Sequence, residues 1–237
     1  MGKNKGVRVS PVVKIIRLKI LAVYVIAAFG VCFASGLSAR ADTLESGWLI
    51  EQNGQERGRT IIRVTAKQMI VTNKLISFVV QSPKFDALLF SDGAKKFVLL
   101  PHSEWTKRYP PGAEKKIAGP EDGPKIAGFR TQKYSWPTKN RHKTVELWTT
   151  KELSLAKPFL DFVSHTTGIP LGMGLPLKMV ANYDDRNDRI DLDTRVIKQE
   201  KFASSVFRLP KGYTKVRSEV ELLLGGEGDS GLDAFAK

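Results

Sequence analysis

Cysteine is almost missing from this chain of 237 residues, since Cys32 is the only one. The part of the chain after residue 41 has no cysteine, which excludes disulfides, thiol catalysis and cysteine-ligated zinc there. Without such cross-links, that part must be held together by an apolar core. Its length of about 195 residues is enough to bury one, and a single domain is the simplest count.

Acidic side chains are missing from the first 41 residues, which contain seven Lys and Arg. Six of these seven lie in residues 1–19, residues 20–37 are apolar or small, and Ala39, Arg40 and Ala41 supply a small-x-small sequence. This order is typical of a secretory signal peptide that is cleaved after Ala41. We therefore expect an exported protein, periplasmic or extracellular, with residues 1–41 as its signal peptide.

Two other interpretations of residues 1–41 are an uncleaved membrane anchor and a lipoprotein signal. Residues 20–37 approach the roughly 17–25 residues that span a bilayer, so an uncleaved N-terminal anchor is the alternative to cleavage. A lipid-anchored lipoprotein is disfavoured, because Val31 stands before Cys32 where such a signal needs a small residue. Cleavage is favoured because Ala, Gly and Ser dilute the second half of the run and the small-x-small sequence follows directly.

A strong basic excess is also lacking once the leader is set aside. The whole chain carries a net charge of +14, whereas the residues after 41 carry 31 Lys and Arg against 24 Asp and Glu, a net charge of +7. Basic and acidic residues alternate along 189–195, without the clustered charge and exposed aromatics of a nucleic-acid binder. We expect no nucleic-acid partner and a solvated basic surface suited to an anionic cell envelope.

The motifs of common catalytic sites are missing as well. There is no Gly-x-Ser-x-Gly sequence and no phosphate-binding loop, and the two glycines in 172–174 lack the third glycine and the preceding strand of a dinucleotide site. None of the three histidines has a partner at metal-ligand spacing. The acidic stretch 184–193 lacks the glycine and final glutamate of a calcium loop. We predict a protein that is not an enzyme and uses no metal and no cofactor.

What the chain does contain is a series of short runs rich in β-branched and aromatic residues, separated by turn signals such as Asn53-Gly54 and Asp92-Gly93. The first runs lie at 48–52, 59–65, 68–72, 75–81, 85–90 and 95–100. A hairpin of 129–136 and 144–150 follows, and a second hairpin of 175–183 and 190–196 alternates apolar and polar residues. This pattern predicts a mainly β, antiparallel meander.

One helix is predicted among these strands, at 158–167. Pro158 suits its first turn, and Gly168 followed by Pro170 suits its end. The proline-rich and charged residues 102–123 are predicted to form a long surface loop. Residues 217–237 are predicted to be a flexible tail, because the glycine-rich and acidic segment near 225–229 has too little apolar content to pack.

A binding site is suggested by the shape that these elements would make together. A strongly curved sheet crossed by a single amphipathic helix leaves an apolar concave face that the helix covers only in part, and such concavities bind apolar ligands. A solid core without a cavity is the alternative. The side chains expected near the lining of a cavity are Phe159, Phe162, Val163, Leu177 and Met179.

Four short motifs follow one another along the chain: IAGF at 126–129 followed by Tyr134, VELWT at 145–149 leading to Leu153, GIPL at 168–171, and VFRLPKGY at 206–213. In this order they resemble a family of exported bacterial proteins of unknown function, which is itself similar to the periplasmic lipoprotein carrier and its outer-membrane receptor, the LolA/LolB-like fold. The resemblance implies a LolA-like β domain at 42–216. It also implies an unclosed half-barrel with one or two helices on its concave face, which would hold acyl chains under the helix at 158–167.

Two functions from different classes follow from these features. The first is an exported, non-enzymatic lipid- or lipoprotein-binding protein of the cell envelope, expected to be a monomer, with a lipid or acyl chain and an envelope protein as its candidate partners. The alternative is a structural or interaction module, with a fully packed interior and a basic face that binds an anionic envelope polymer or a protein partner.

Overall fold

The computed structural model of the protein describes residues 42–56, 58–113, 116–138 and 143–224. The predicted signal peptide, with its cleavage-site residues Ala39 and Ala41, lies outside the described residues, as do residues 225–237 of the predicted tail. Within the described part of the chain, no helix is long and apolar enough to cross a membrane.

The described residues form a single mixed sheet of twelve strands. The strands are β1 Leu44–Gly54, β2 Gly58–Thr65, β3 Gln68–Thr72, β4 Ser77–Gln81, β5 Ala87–Ser91, β6 Lys96–Leu100, β7 Ala118–Ile126, β8 Phe129–Pro137, β9 Lys143–Thr150, β10 Leu175–Tyr183, β11 Arg189–Ala203 and β12 Thr214–Lys215. Every predicted run falls on one of them.

Two antiparallel meanders meet at the centre of the sheet, where β1 pairs with β11. The strand order is β12-β6-β5-β4-β3-β2-β1-β11-β10-β9-β8-β7, so sequence neighbours are also hydrogen-bonded neighbours within each meander. Only β12 runs parallel to its partner, β6. Because β7 and β12 lie at opposite ends of this order, the sheet of the described residues does not close into a barrel.

The sheet is strongly curved, as one small cavity shows. Phe78 of β4 and Met179 of β10 both line a space of about 240 Å³ on the face that carries the helices. In a flat sheet the spacing of about 4.8 Å per strand would hold β4 and β10 about 24 Å apart, too far for one cavity of this size. The predicted fold class, a mainly β, antiparallel and unclosed half-barrel with few helices, is therefore confirmed.

Three short helices accompany the sheet within the described residues. They are α1 His102–Arg108, α2 Lys157–Thr167 and α3 Glu219–Leu224. The helix predicted at 158–167 is confirmed as α2. Pro158 lies in its first turn, and Gly168 ends it in the left-handed conformation with φ of 70°. That conformation is one that glycine adopts without steric cost, so the helix stops there.

Apolar residues are also buried on the outer face of the sheet. Because neighbouring side chains on a strand point to opposite faces, Leu49 faces outward beside the inward Ile50, and Phe90 faces outward beside the inward Leu89. Phe207, which is fully buried, covers this second cluster from a 3-10 turn at Ser204–Phe207. The sheet is thus packed on both faces over its first meander.

Two predictions about irregular regions were wrong. The predicted loop at 102–123 contains α1 and most of β7, because Trp105 anchors a short helix and because β7, at the edge of the sheet, tolerates the prolines that a central strand excludes. The predicted tail from residue 217 begins with α3, whose Leu222 is only 1% exposed. Glu219 of α3 also lies 3.4 Å from Arg108 of α1, which ties the two helices together.

Charged residues flank an aromatic ring on the outer face of the second meander. Lys133 and Lys178 stand directly opposite Trp148 in the strand register, with their ammonium groups 5.3 and 5.2 Å from the centre of its ring. Glu146 forms an ion pair with Lys133. Burial would raise the pKa of Glu146, but hydrogen bonds from Lys133 and Asn182 and the nearby lysine charges outweigh it and lower that pKa.

The lowered pKa of Glu146 predicts a pH-dependent contribution to stability. A carboxylate whose pKa is lower in the folded state stabilises the fold above its unfolded value, here 4.5, and this contribution disappears as pH falls through the folded pKa. The variant Glu146→Gln should therefore be less stable than the wild type at neutral pH, by about 1 kcal/mol or less for so shallow a pair. The two should converge well below pH 4.5.

Urea unfolding followed at a series of pH values measures this difference. Glu121→Gln, which changes an exposed carboxylate of β7, serves as the matched control and should follow the wild type at each pH. A gap between Glu146→Gln and the wild type that stays constant down to the lowest pH would contradict the assignment.

Candidate functional site

A cavity of about 240 Å³ lies between the C-terminal half of α2 and the concave face of the sheet. Six strands contribute to its wall, from β4 on one side to β10 on the other, and Phe162 and Val163 of α2 form its roof. Helix α2 has eleven residues and is about 16 Å long, so it covers only part of the concave face. The helix therefore leaves space beneath its C-terminal end.

The walls of this inner cavity are largely apolar. Alternate residues of neighbouring strands supply them, since every second side chain of a strand faces the same way. The apolar lining side chains are Ile62, Val71, Phe78, Phe162, Val163, Met179 and Leu192. A small ligand gains affinity from burial against such walls, at about 25 cal/mol per Å² of apolar surface.

Polar residues line the rest of the cavity, and several of them already have hydrogen-bond partners. The side-chain amide of Gln52 donates to the carbonyl of Pro176 at 2.9 Å and to the hydroxyl of Thr194 at 3.1 Å. The hydroxyls of Thr166 and Thr167 donate to carbonyls one turn earlier in α2. An apolar guest can therefore enter without breaking these hydrogen bonds, which limits the cost of binding.

Three of the five predicted lining residues lie on the cavity wall, namely Phe162, Val163 and Met179. The other two do not line it. Phe159 lies one turn earlier in α2, fully buried with its ring edge-on to Phe85 at 5.7 Å. Leu177 is also fully buried, and the register of β10 shifts between Pro176 and Lys178, so the simple alternation that placed Leu177 beside Met179 does not hold there. Both predictions are corrected to core positions.

Sequence reasoning missed the lining residues contributed by the first meander and by β11, such as Ile62, Val71 and Leu192. Their alternation along the strands did mark them as facing a core. Alternation could not identify the part of the sheet that lies under the C-terminal end of α2, because that depends on how far the sheet curves.

A second, polar compartment of about 230 Å³ adjoins the inner cavity. The two share three lining residues, Thr167, Met179 and Asp191. The residues that belong to the polar compartment alone are Glu56, Trp136, Lys143, Val145, Gly168 and Arg189. The structure thus places an apolar space directly beside a charged one.

An ionic network occupies one wall of the polar compartment. Nη2 of Arg189 donates to Oδ2 of Asp191 at 3.2 Å, and its Nε lies 2.5 Å from Oδ1 of the same carboxylate. Nη1 of Arg189 pairs with the carboxylate of Glu56, whose side chain is 64% exposed. The hydrogen bond to Asp191 raises the pKa of Arg189 further, against the opposing effect of burial.

A further groove of about 440 Å³ lies on the outer face of the first meander, between residues 81–84 and Leu209. It is more open to solvent than the inner cavity and lies beside Phe207. We regard the inner cavity as the candidate site, because enclosure by a helix and a curved sheet buries more of a small ligand than an open groove does.

In the described part of the chain, no cluster of three or more His, Cys, Asp or Glu side chains could hold a metal ion. His165 instead donates from Nδ1 to the carbonyl of Tyr109 at 2.5 Å. Its ring packs edge-on against Trp105 at 5.1 Å, and the ring of His102 does so at 4.9 Å. His165 therefore joins α2 to α1, whereas His102 packs within α1 itself.

No family model matches the chain, and no curated protein matches it. Among solved structures, the chain is similar to that of PNGF-II in space group C2, at 15% identity and a TM-score of 0.46, over 75% of this chain and 32% of that one. This chain thus spans about a third of the length of PNGF-II.

A second solved structure is similar over most of both chains. It is that of an uncharacterised conserved protein from Thermus thermophilus, with 14% identity and a TM-score of 0.45, over 73% of this chain and 91% of that one. At these identities and TM-scores, neither likeness assigns a function.

Proposed function

We propose that this protein is an exported, non-enzymatic lipid- or lipoprotein-binding protein of the cell envelope, and that it holds an acyl chain in the inner cavity. The observation that carries the proposal is an apolar cavity under the C-terminal end of α2, roofed by Phe162 and Val163 and bordered by Met179. The leader at 1–41, with its basic start and apolar run, supports export.

The volume of the cavity limits the ligand. A cavity of about 150 Å³ in a protein core holds one benzene molecule, which has six carbon atoms. On the same scale, the 240 Å³ of the inner cavity accommodates about ten carbon atoms. That is room for a single acyl chain, or for the end of a longer one, and it is below the roughly 300–1,000 Å³ of pockets for drug-sized ligands.

The alternative proposal is an interaction module whose basic face binds an anionic envelope polymer. The observation in its favour is on the outer face, where Lys133 and Lys178 flank Trp148. Basic groups beside aromatic rings suit an anionic partner. This surface faces away from the inner cavity, so the two proposals can be tested separately.

Native mass spectrometry of the protein purified from its host tests the first proposal. We expect a fraction of the molecules to carry the added mass of an acyl-bearing compound, which extraction with organic solvent removes. A bare polypeptide from several independent preparations would contradict the proposal. Binding to an anionic envelope polymer that disappears at high salt would then favour the alternative, because salt screens exposed charges.

A further inference from the structure

The polar compartment described above adjoins the apolar one in a way that suits an amphiphile. Met179 and Thr167 line both spaces, so the passage from apolar to polar surroundings takes place across single side chains. A chain lying in the inner cavity with its end at Met179 would place its terminal group among Lys143, Arg189 and Asp191. The headgroup of such a ligand would therefore lie in the polar compartment.

The charges in this compartment favour an anionic group. Nη2 of Arg189 donates to Asp191, its Nε lies within ion-pair distance of the same carboxylate, and its Nη1 pairs with Glu56. Within the described residues no carboxylate lies within ion-pair distance of Lys143, whose ammonium group is 5.4 Å from the centre of the Tyr183 ring. An anion in the compartment would therefore find one ammonium group that is not already paired with a carboxylate.

Glu56 is the part of the network that a ligand could replace. Its side chain is 64% exposed, whereas that of Asp191 is 13% exposed, and an exposed ion pair contributes little to stability. A guanidinium group binds carboxylates in a planar, directional manner. The carboxylate of a ligand could therefore take the place of the Glu56 carboxylate on Arg189 while Asp191 stays bound, and Glu56 would move into solvent.

We propose that the polar compartment is a headgroup site for the carboxylate of a fatty acid, with Lys143 and Arg189 as its cationic groups and Glu56 as the carboxylate that the ligand displaces. This inference rests on the proposed function, since the chain of the same molecule occupies the inner cavity. It adds the class of the ligand, a single-chain anionic amphiphile with about ten buried carbon atoms on the scale used above.

Two ligands of equal chain length, decanoate and 1-decanol, separate the headgroup site from the chain site. Binding is measured by calorimetric titration of the full chain at about pH 8, where the fatty acid is ionised. We expect decanoate to bind about tenfold more tightly than decanol, because one charge-assisted hydrogen bond contributes about that factor in affinity. Lys143→Gln should weaken the binding of decanoate about five- to tenfold and leave the affinity for decanol unchanged.

Glu56→Gln provides a change of the opposite sign, because it removes the competing carboxylate. It should tighten decanoate binding about two- to fivefold, again without an effect on decanol. Lys201→Gln, which removes an exposed lysine of β11 outside both spaces, should change neither ligand and controls for net charge.

The outcomes distinguish this inference from the proposed function. Equal affinities of decanoate and decanol in the wild type, unchanged in Lys143→Gln and Glu56→Gln, would overturn the headgroup site while the chain site stands. Failure of both ligands to bind would overturn the two together. A decanoate preference that Lys201→Gln reduces as much as Lys143→Gln would also overturn the headgroup site, since net charge alone would then account for it.

Discussion

Replacing Trp105 with alanine should lower the free energy of unfolding by about 3–5 kcal/mol, the usual cost of removing a large buried aromatic side chain. Trp105 is 1% exposed, and its indole nitrogen donates to the carbonyl of Phe85 at 2.9 Å. Its ring also packs edge-on against Phe162 at 5.2 Å. The substitution would leave a cavity, break this hydrogen bond and remove support from the roof of the inner cavity.

Trp148→Ala provides the matched control, because it deletes the same side chain from the outer face. Trp148 is only half-buried and has lysines rather than a closed core beside it, so its loss should cost less than half as much. Urea unfolding curves of the two variants, analysed with a common slope, measure the difference. Equal losses, or a loss below about 1 kcal/mol for Trp105→Ala, would show that α1 is not anchored through this residue.

The strands of the first meander and α2 are predictable because their signals are local. Strands of the first meander alternate inward and outward residues, and both faces are apolar over much of it, so each strand forms a compact apolar run between turn residues. Helix α2 is bounded by Pro158 and by Gly168, whose left-handed backbone is a local property. Such signals are contained in a few neighbouring residues and can be read without knowledge of the rest of the fold.

The two missed elements, α1 and β7, lack signals of this kind. Helix α1 has seven residues, and its N-cap residue, Pro101, has no side chain that can cap it. Its first N–H, that of His102, donates instead to the carboxylate of Asp86 at 3.0 Å, so the stability of α1 comes from this contact and from the packing of Trp105 and not from its own sequence. Strand β7 reads AGPEDGPKI, which has neither alternation nor β-branched residues before its last position. It is a strand because β8 supplies hydrogen-bond partners at the edge of the sheet.

The candidate site was predictable in part for the same reason. The helical spacing of Phe162 and Val163 identified the face of α2 that turns inward, but spacing alone could not show that Phe159, on the same face, meets Phe85 and lies in solid core. The polar compartment was not predicted at all. Glu56 and Arg189 are 133 positions apart in the sequence, and the β1–β11 pairing that brings them together is set by the whole fold.

Introducing a charge at Met179 is the second substitution with a large expected effect. Met179 borders both the apolar and the polar compartments, so a carboxylate there would face the ligand chain. A bound chain would cover this carboxylate, and removing a charge from water costs several kcal/mol. The carboxylate would also repel an anionic headgroup. We therefore expect Met179→Glu to weaken decanoate binding at least about a hundredfold, or about 3 kcal/mol.

Two variants control for this result. Val196→Glu places the same charge on an exposed position of β11 outside the cavity, and decanoate should bind it as it binds the wild type. Met179→Leu keeps an apolar side chain of similar volume, which cores tolerate well, and should stay within about threefold of the wild type. Because Met179 is half-buried and lies beside Arg189, Met179→Glu should remain folded, and its urea midpoint checks this.

The most direct measurement of the central claim locates the ligand chain by nuclear Overhauser effects to methyl groups. With labelled Met and Val methyls, we expect contacts from the chain protons of decanoate to Met179 and Val163, the methyl-bearing residues at the border and in the roof of the inner cavity. Contacts to Val79 of the outer groove instead, or binding without any contact to Met179 and Val163, would contradict the account.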